Sequence, residues 1–286
     1  MADKKSEYKK IFKTMEQNIR NFTEQIDAPL PEERTLENFD ITTYWSEVCK
    51  IVDKLSFEAN KLSLSWLSPP PPSTTDLVQM GALLELACVS LLASVHNHPV
   101  DAGLNIRNLF KDRVKNVLES CVTFVRTLSD TTGKKFASNS HPILQSFGDV
   151  SSKCDQIKVM PKSNKLVCVV KLKEQHGLLK DALSELDEVG NDDFHDDLDD
   201  ESEKWTERDN QILNPSKGLI KTSVVLMKKT FDTINKFGDD STSLNLLEYD
   251  EVLEILSKTD QDDLPLTKIY PVDYVTNVVF CLSYIG

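Results

Sequence analysis

Eight apolar residues in the first quarter of the chain, Ile41, Trp45, Val48, Val52, Leu55, Ala59, Leu62 and Trp66, follow one another at alternating spacings of four and three. At 3.6 residues per turn all eight fall on one stripe of one helix, the pattern of helices packed nearly parallel in a bundle. A helix over residues 36–67 would be about 48 Å long at 1.5 Å per residue. Ser68 and the four prolines at 69–72 then end it and force an extended turn.

The same logic continues along the chain. Ser73, Thr74, Thr75 and Asp76 offer capping oxygens ahead of an apolar run that reaches Val95, and His96-Asn97-His98-Pro99 closes it. Over residues 102–129, Ile106, Phe110, Val114, Val117, Cys121, Phe124 and Leu128 repeat at threes and fours. A Ser-, Thr-, Gly- and Asn-rich stretch at 131–140 reads as a loop. A shorter helix is expected over 142–160, ended by Pro161, and another over 164–188 with Leu166, Val170, Leu179, Leu183 and Leu186 toward the core. Leu166-Val167-Cys168-Val169-Val170 is locally strand-like, but its long flanks favour helix. Residues 205–237 predict a long helix interrupted or kinked near Pro215, with Gly238 as its stop. A further helix is expected at 244–258, and Pro271 opens a last apolar one. The expected class is therefore all-α: two bundles of long amphipathic helices joined by an acidic loop. The expected division is an N-terminal bundle at 1–187, a mobile acidic linker at 188–203 and a C-terminal helical region at 204–286.

Composition narrows the function. The nine glycines are never closer together than Gly177 and Gly190. Dinucleotide-binding loops, P-loops, kinase lids and serine-hydrolase elbows each need two glycines within about six residues, so spacing excludes them. The net charge of −13 comes mainly from residues 187–203, which hold ten acids and no Lys or Arg. The remainder is close to balanced and lacks the clustered bases that grip a nucleic-acid backbone. Lys4, Lys5, Lys9, Lys10 and Lys13 read as a solvated helix face. The first apolar residues lie scattered among these lysines, so no signal peptide is visible. The apolar run at 82–95 is interrupted by Glu85 and is too short to span a bilayer. Six cysteines occur without a CxxC pair, which fits a reducing compartment, the cytoplasm and nucleus.

The enzyme-like motif is Asp192-Asp193-Phe194-His195-Asp196. In helical prenyl-diphosphate enzymes such carboxylates hold magnesium against a diphosphate, from a rigid helix beside an apolar cavity. Here they stand in a run with almost no apolar periodicity, and Asp262-Asp263 is too sparse to be their partner. A self-repelling linker is the stronger reading. The same stretch, with Asp192, Asp193, Asp196, Asp197, Asp199, Asp200 and Glu201, is the candidate acidic docking segment. His96 and His98 make half a zinc site at most, and a polar helix terminus explains them. Trp45 and Trp66 lie on the apolar stripe and read as core, with exposed anchoring of a partner as the alternative. No catalytic residue, metal site or cofactor follows from the sequence.

Several quoted segments, taken in order, carry a resemblance. Tyr44-Trp45-Ser46-Glu47, the helix running into Leu67-Ser68-Pro69-Pro70-Pro71-Pro72, Trp205-Thr206-Glu207-Arg208-Asp209 after the Asp-rich loop, and Asp262-Asp263-Leu264 before Ile269-Tyr270-Pro271 resemble the cyclin-D-binding (GCIP, or Maid-like) proteins. The likeness covers about residues 36–280. It implies two helical bundles and a nuclear and cytoplasmic, non-enzymatic regulator of the cell cycle that binds D-type cyclins. It also implies lowered cyclin-D-dependent phosphorylation of the retinoblastoma protein, lowered transcription, and inhibitory pairing with helix-loop-helix transcription factors. The chain has no basic helix of the kind DNA-binding helix-loop-helix proteins need, so direct nucleic-acid binding is not expected. Family members continue for several helical turns past the position matching Ile285, and the apolar end Cys281-Leu282-Ser283-Tyr284-Ile285-Gly286 leads us to expect a shortened C-terminus. The rival is an adhesion scaffold resembling vinculin- or α-catenin-type helical bundles.

Overall fold

A computed structural model describes residues 2–28, 39–132, 141–189, 207–240 and 243–260. Among them are eight α-helices and no strand: α1 (Ala2–Gln25), α2 (Ile41–Leu67), α3 (Thr74–Asn97), α4 (Leu104–Thr131), α5 (Pro142–Val159), α6 (Asn164–Val189), α7 (Glu207–Phe237) and α8 (Ser243–Asp260). A single 3-10 turn, Val100–Ala102, precedes α4. The chain is all-α, as its periodicity predicts. Its contacts divide it into two units, Met1–Lys162 and Ser163–Gly286. The boundary expected at 187/188 follows the acidic composition, which lies outside the described residues from 190 to 206. An acidic run marks a linker by composition, but it does not say which helices pack together, and α6 packs on α7 and α8.

In the first unit the helices close a ring in which α2 touches α3, α3 touches α1, α1 touches α4, α4 touches α5, and α5 returns to α2. The α2 stripe behaves as its spacing requires, with Trp45, Val48, Val52, Leu55, Ala59 and Leu62 buried and Ile41 and Trp66 half-buried at its ends. Asp40 starts the helix: its Oδ1 accepts from the backbone N–H groups of Thr42 and Thr43, each at 3.0 Å. Those hydrogen bonds, with that of the Thr43 hydroxyl foremost, hold the Asp40 carboxyl below the usual range. Ser73 caps α3 by accepting from the Asp76 N–H at 3.1 Å and donating to its carboxylate at 2.6 Å. All seven predicted core positions of α4 are buried. Gly103, with φ of 105°, takes the left-handed turn into α4 that a side chain would resist.

α1 contributes more than its lysines suggest. Tyr8, Phe12, Met15 and Ile19, at spacings of four, three and four, are buried between α3 and α4. Each fully buried side chain of this size contributes roughly 1.5–3 kcal/mol. Lys4, Lys5, Lys9, Lys10 and Lys13 are exposed on the other face. Contacts along its length fix the register: Tyr8 donates to the Pro72 carbonyl at 2.6 Å and Asn18 to the Glu85 carboxylate at 3.1 Å. Toward α4, Glu16 accepts from Arg126 at 2.9 Å, and Lys111 pairs with Asp27. Gly81 lets α1 and α3 approach closely, since a Cβ there would sit 2.7 Å from the Met15 sulfur.

In the second unit α6 packs against both α7 and α8. Its first turn is held by the start of α8 and the turn after α7. Asn164 is buried and donates to the Leu246 carbonyl at 3.1 Å and to Asp250 at 2.9 Å, while the Lys165 N–H donates to Asp240 at 3.0 Å. The expected core face of α6 is corrected here. Leu166 and Val170 are exposed and Val167, Cys168 and Leu172 are buried in their place, while Leu179 is buried as expected and Leu183 and Leu186 are half-buried. Of the interruption or kink expected near Pro215 in α7, the interruption is not found. The helix runs through Pro215, and the Ser216 hydroxyl donates to the Ile212 carbonyl at 2.8 Å.

Candidate docking surface

Among the described residues, the histidines, tryptophans and cysteines that sequence singled out serve helix ends and core. His98 caps the end of α3 and is 1% exposed, with ring centroids of Tyr44, Trp45 and Phe110 5.5, 5.6 and 6.3 Å away. Its Nδ1 lies 3.2 Å from the Pro99 carbonyl oxygen, and its Nε2 has no hydrogen-bond partner. Burial, chiefly, pushes its pKa down to about 4, so the ring is neutral at physiological pH. His96 stays half-buried on the last turn of α3. Trp45 is core: its indole N–H donates to the Lys162 carbonyl at 2.9 Å. Trp66 receives the Tyr8 and Phe12 rings edge-on at 5.1 and 4.9 Å. Cys88, Cys121 and Cys154 are fully buried free thiols. Cys121 is pushed well above the ordinary thiol value by its hydrogen bond with Cys88 and by burial, and Cys154 is pushed up by burial. Thiols in that state are poor nucleophiles. Asp192, Asp193, Asp196, Asp197, Asp199, Asp200 and Glu201 lie outside the described residues, as do His195, Trp205 and the helix expected from Pro271.

What the first unit does present is an apolar ridge that sequence periodicity did not reveal. α3 is long and apolar enough by composition to cross a bilayer, yet half of that stretch is buried as a core helix of the bundle. Between Asp76 and His96 its only charged residue is Glu85. One face, with Leu77, Leu84, Cys88, Leu91 and Val95, fills the core. The opposite face, with Val78, Ala82, Leu86, Val89 and Ala93, is exposed. Spacings of four, four, three and four make these five a second stripe, about 22 Å long at 1.5 Å per residue. Val78 and Leu86 are 52% and 50% exposed. Glu85 turns aside toward α1, where Asn18 holds it, and burial raises its pKa against that hydrogen bond.

The shoulders of the ridge differ. Asp53 on α2 reaches Lys158 of α5 at 2.7 Å. Lys54 and Lys61, about 80–100° further round the helix, therefore fall on the shoulder beside α3. α2 and α3 are antiparallel, tied at one end by Tyr44 donating to the Ser94 carbonyl at 2.8 Å. Counting at equal rise from that contact, Lys54 comes level with about residue 84 and Lys61 with about residue 77. Neither lysine has an ion-pair partner among the described residues, whereas Lys50 is tied to Glu47 at 2.6 Å. Phe57 and Leu64, 62% and 52% exposed, face outward from the same helix. An uncharged helical ridge beside two lysines without ion-pair partners among the described residues is suited to holding another protein surface.

Comparison with known proteins agrees with that character. Residues 47–192 match the family model described as Grap2 and cyclin-D-interacting, N-terminal. A cyclin-D1-binding protein 1 homolog of Danio rerio is 27% identical over 250 residues, covering 82% of this chain and 72% of that protein. The Xenopus laevis homolog is 25% identical, covering 90% of this chain and 82% of its own length. Cyclin-D1-binding protein 1 of Rattus norvegicus is 23% identical, covering 91% and 80%. The ordered segments from Tyr44 onward, the all-helical architecture and a family match spanning half the chain lead to one conclusion: this chain belongs to the Grap2 and cyclin-D-interacting family.

Proposed function

We propose that this chain is a non-enzymatic regulator that binds a D-type cyclin and acts by occupancy, covering a surface the cyclin would otherwise present elsewhere. The observation that carries the reading is the α3 ridge, an apolar helical surface left uncovered on the unit that contains most of the family match. The names of the relatives supply the partner class. Lowered phosphorylation of the retinoblastoma protein by cyclin-D-dependent kinase follows if the covered surface is one the kinase or its substrate needs. Pairing with helix-loop-helix transcription factors is the second element of the reading. Residues 1–162 carry as many acidic as basic side chains, so a captured factor would gain no DNA contact from them. Acting on a D-type cyclin requires the protein to reach the nucleus and the cytoplasm, and that localisation is part of the same proposal.

The test is a pull-down of the 286-residue chain against a purified D-type cyclin, followed by titration. Binding at or below tens of micromolar is expected, with a matching drop in retinoblastoma phosphorylation in a reconstituted kinase assay. No binding at that concentration overturns the reading, and co-sedimentation with filamentous actin in its place would favour the scaffold.

A further inference from the structure

We infer that the α3 ridge is a seat for one amphipathic helix of the partner, apolar on one face and lined with Asp or Glu along the edge that meets Lys54 and Lys61. The inference rests on the protein-binding reading above and specifies the chemistry of the partner at that site. The shape argues for a helix. Val78, Leu86 and Val89 stand as knobs, with Ala82 a notch between the first two and Ala93 a low end beyond the last, at the helical repeat. A ridge of this kind packs against the complementary rows of a second helix. Its length, about 22 Å, corresponds to about four turns.

Charge argues for acid on that helix. The exposed ridge residues of α3 carry no charge of their own, and α2 contributes Lys54 and Lys61, exposed and without ion-pair partners among the described residues. A partner helix with carboxylates opposite these groups gains long-range steering, and one with lysines is repelled.

Two other occupants fit less well. A second copy would bring the same lysine rows to its own seam. A lipid surface is met by bulky Trp, Phe and Leu on the inserting face, whereas four of the five ridge residues are Val or Ala and leave notches that a second helix fills.

The test uses the whole chain and two labelled 21-residue helical peptides with the same leucine stripe, one flanked by Glu and one by Lys. Fluorescence anisotropy at low salt should show the Glu peptide binding at least tenfold more tightly than the Lys peptide. Leu86→Glu, at a half-exposed position, should weaken the Glu peptide at least tenfold while leaving helicity and the urea midpoint unchanged. The double change Lys54→Glu with Lys61→Glu should invert the preference between the two peptides, which mere loss of folding would not do. Equal affinity for both peptides, or an unaffected Leu86→Glu chain, overturns the inference. So does a dimer in ultracentrifugation, or capture by phosphatidylserine vesicles, that Leu86→Glu abolishes. The same variants are titrated with the D-type cyclin. If the cyclin binds wild type and Leu86→Glu alike, the ridge assignment fails and the regulator reading stands. If the cyclin binds neither while the Glu peptide binds, the regulator reading fails and the ridge remains a helix seat.

Discussion

His98 shows how a residue can be placed correctly by sequence and still hold information that sequence does not. A histidine two residues after a helical run, followed by proline, reads as a terminus, and it is one. Its burial among Tyr44, Trp45 and Phe110 depends on α2, about fifty residues earlier, and on the next helix, α4, closing over it. The consequence is a pH dependence with a definite sign. Burial lowers the folded pKa from 6.5 to about 4, so between those values the unfolded chain binds a proton that the folded chain refuses. Stability is full above pH 6.5 and falls as pH drops toward 4, by about 3 kcal/mol in all at roughly 1.4 kcal/mol per unit. Carboxylates titrate in the same range, so the measurement is the difference in urea midpoint between wild type and His98→Leu from pH 7.5 to 4.5. The deficit of the variant should shrink as pH falls. A constant difference would mean that His98 is not held neutral.

At the scale of elements, legibility tracked how unevenly apolar residues are spread around each helix. α2 and α4 alternate apolar and polar sectors cleanly, so every buried position on their stripes could be named in advance. In α6 the run Leu166-Val167-Cys168-Val169-Val170 is apolar at every step, and no periodicity chooses among its faces. The choice is made by Asn164, whose hydrogen bonds to Leu246 and Asp250 orient the first turn toward α8. The α3 ridge was hidden for the same reason, because a helix apolar all round does not disclose which side the bundle leaves bare. α1 is the opposite case, since its four core residues follow helical spacing but were overshadowed by lysines. Phe12 is fully buried, and Phe12→Ala should cost about 3–5 kcal/mol, comparable with Phe110→Ala at the centre of α4. Chemical denaturation of the two variants side by side checks this, and a cost below 1 kcal/mol would mean that α1 is an appendage. Gly81→Leu tests the α1–α3 contact from the other side. The added bulk meets Met15, and overpacking of about 1–3 kcal/mol is expected in the same assay.

At the scale of the whole molecule, charge and core follow the same division. Residues 1–162 carry equal numbers of basic and acidic side chains, so the entire net charge of −13 resides in 163–286. Each unit has its own buried residues, Phe12, Leu55 and Phe110 among those of the first and Cys168, Leu172 and Met227 among those of the second. Two cores imply two cooperative transitions. The tryptophans make them separable: Trp45 and Trp66 lie in the first unit and Trp205 in residues 163–286. In a Trp205→Phe chain, indole fluorescence reports the first unit alone and far-ultraviolet circular dichroism reports both. Urea curves from the two probes should not coincide. Salt then assigns the second transition, because self-repulsion within an acidic unit is screened as the Debye length falls from about 10 Å at 0.1 M to about 3 Å at 1 M. Raising sodium chloride over that range should move the dichroism-only transition to higher urea and leave the fluorescence transition within error. Coincident curves that shift together would mean that the chain unfolds as one body, and a salt-sensitive fluorescence transition would mean that the acidic half governs the stability of the neutral one.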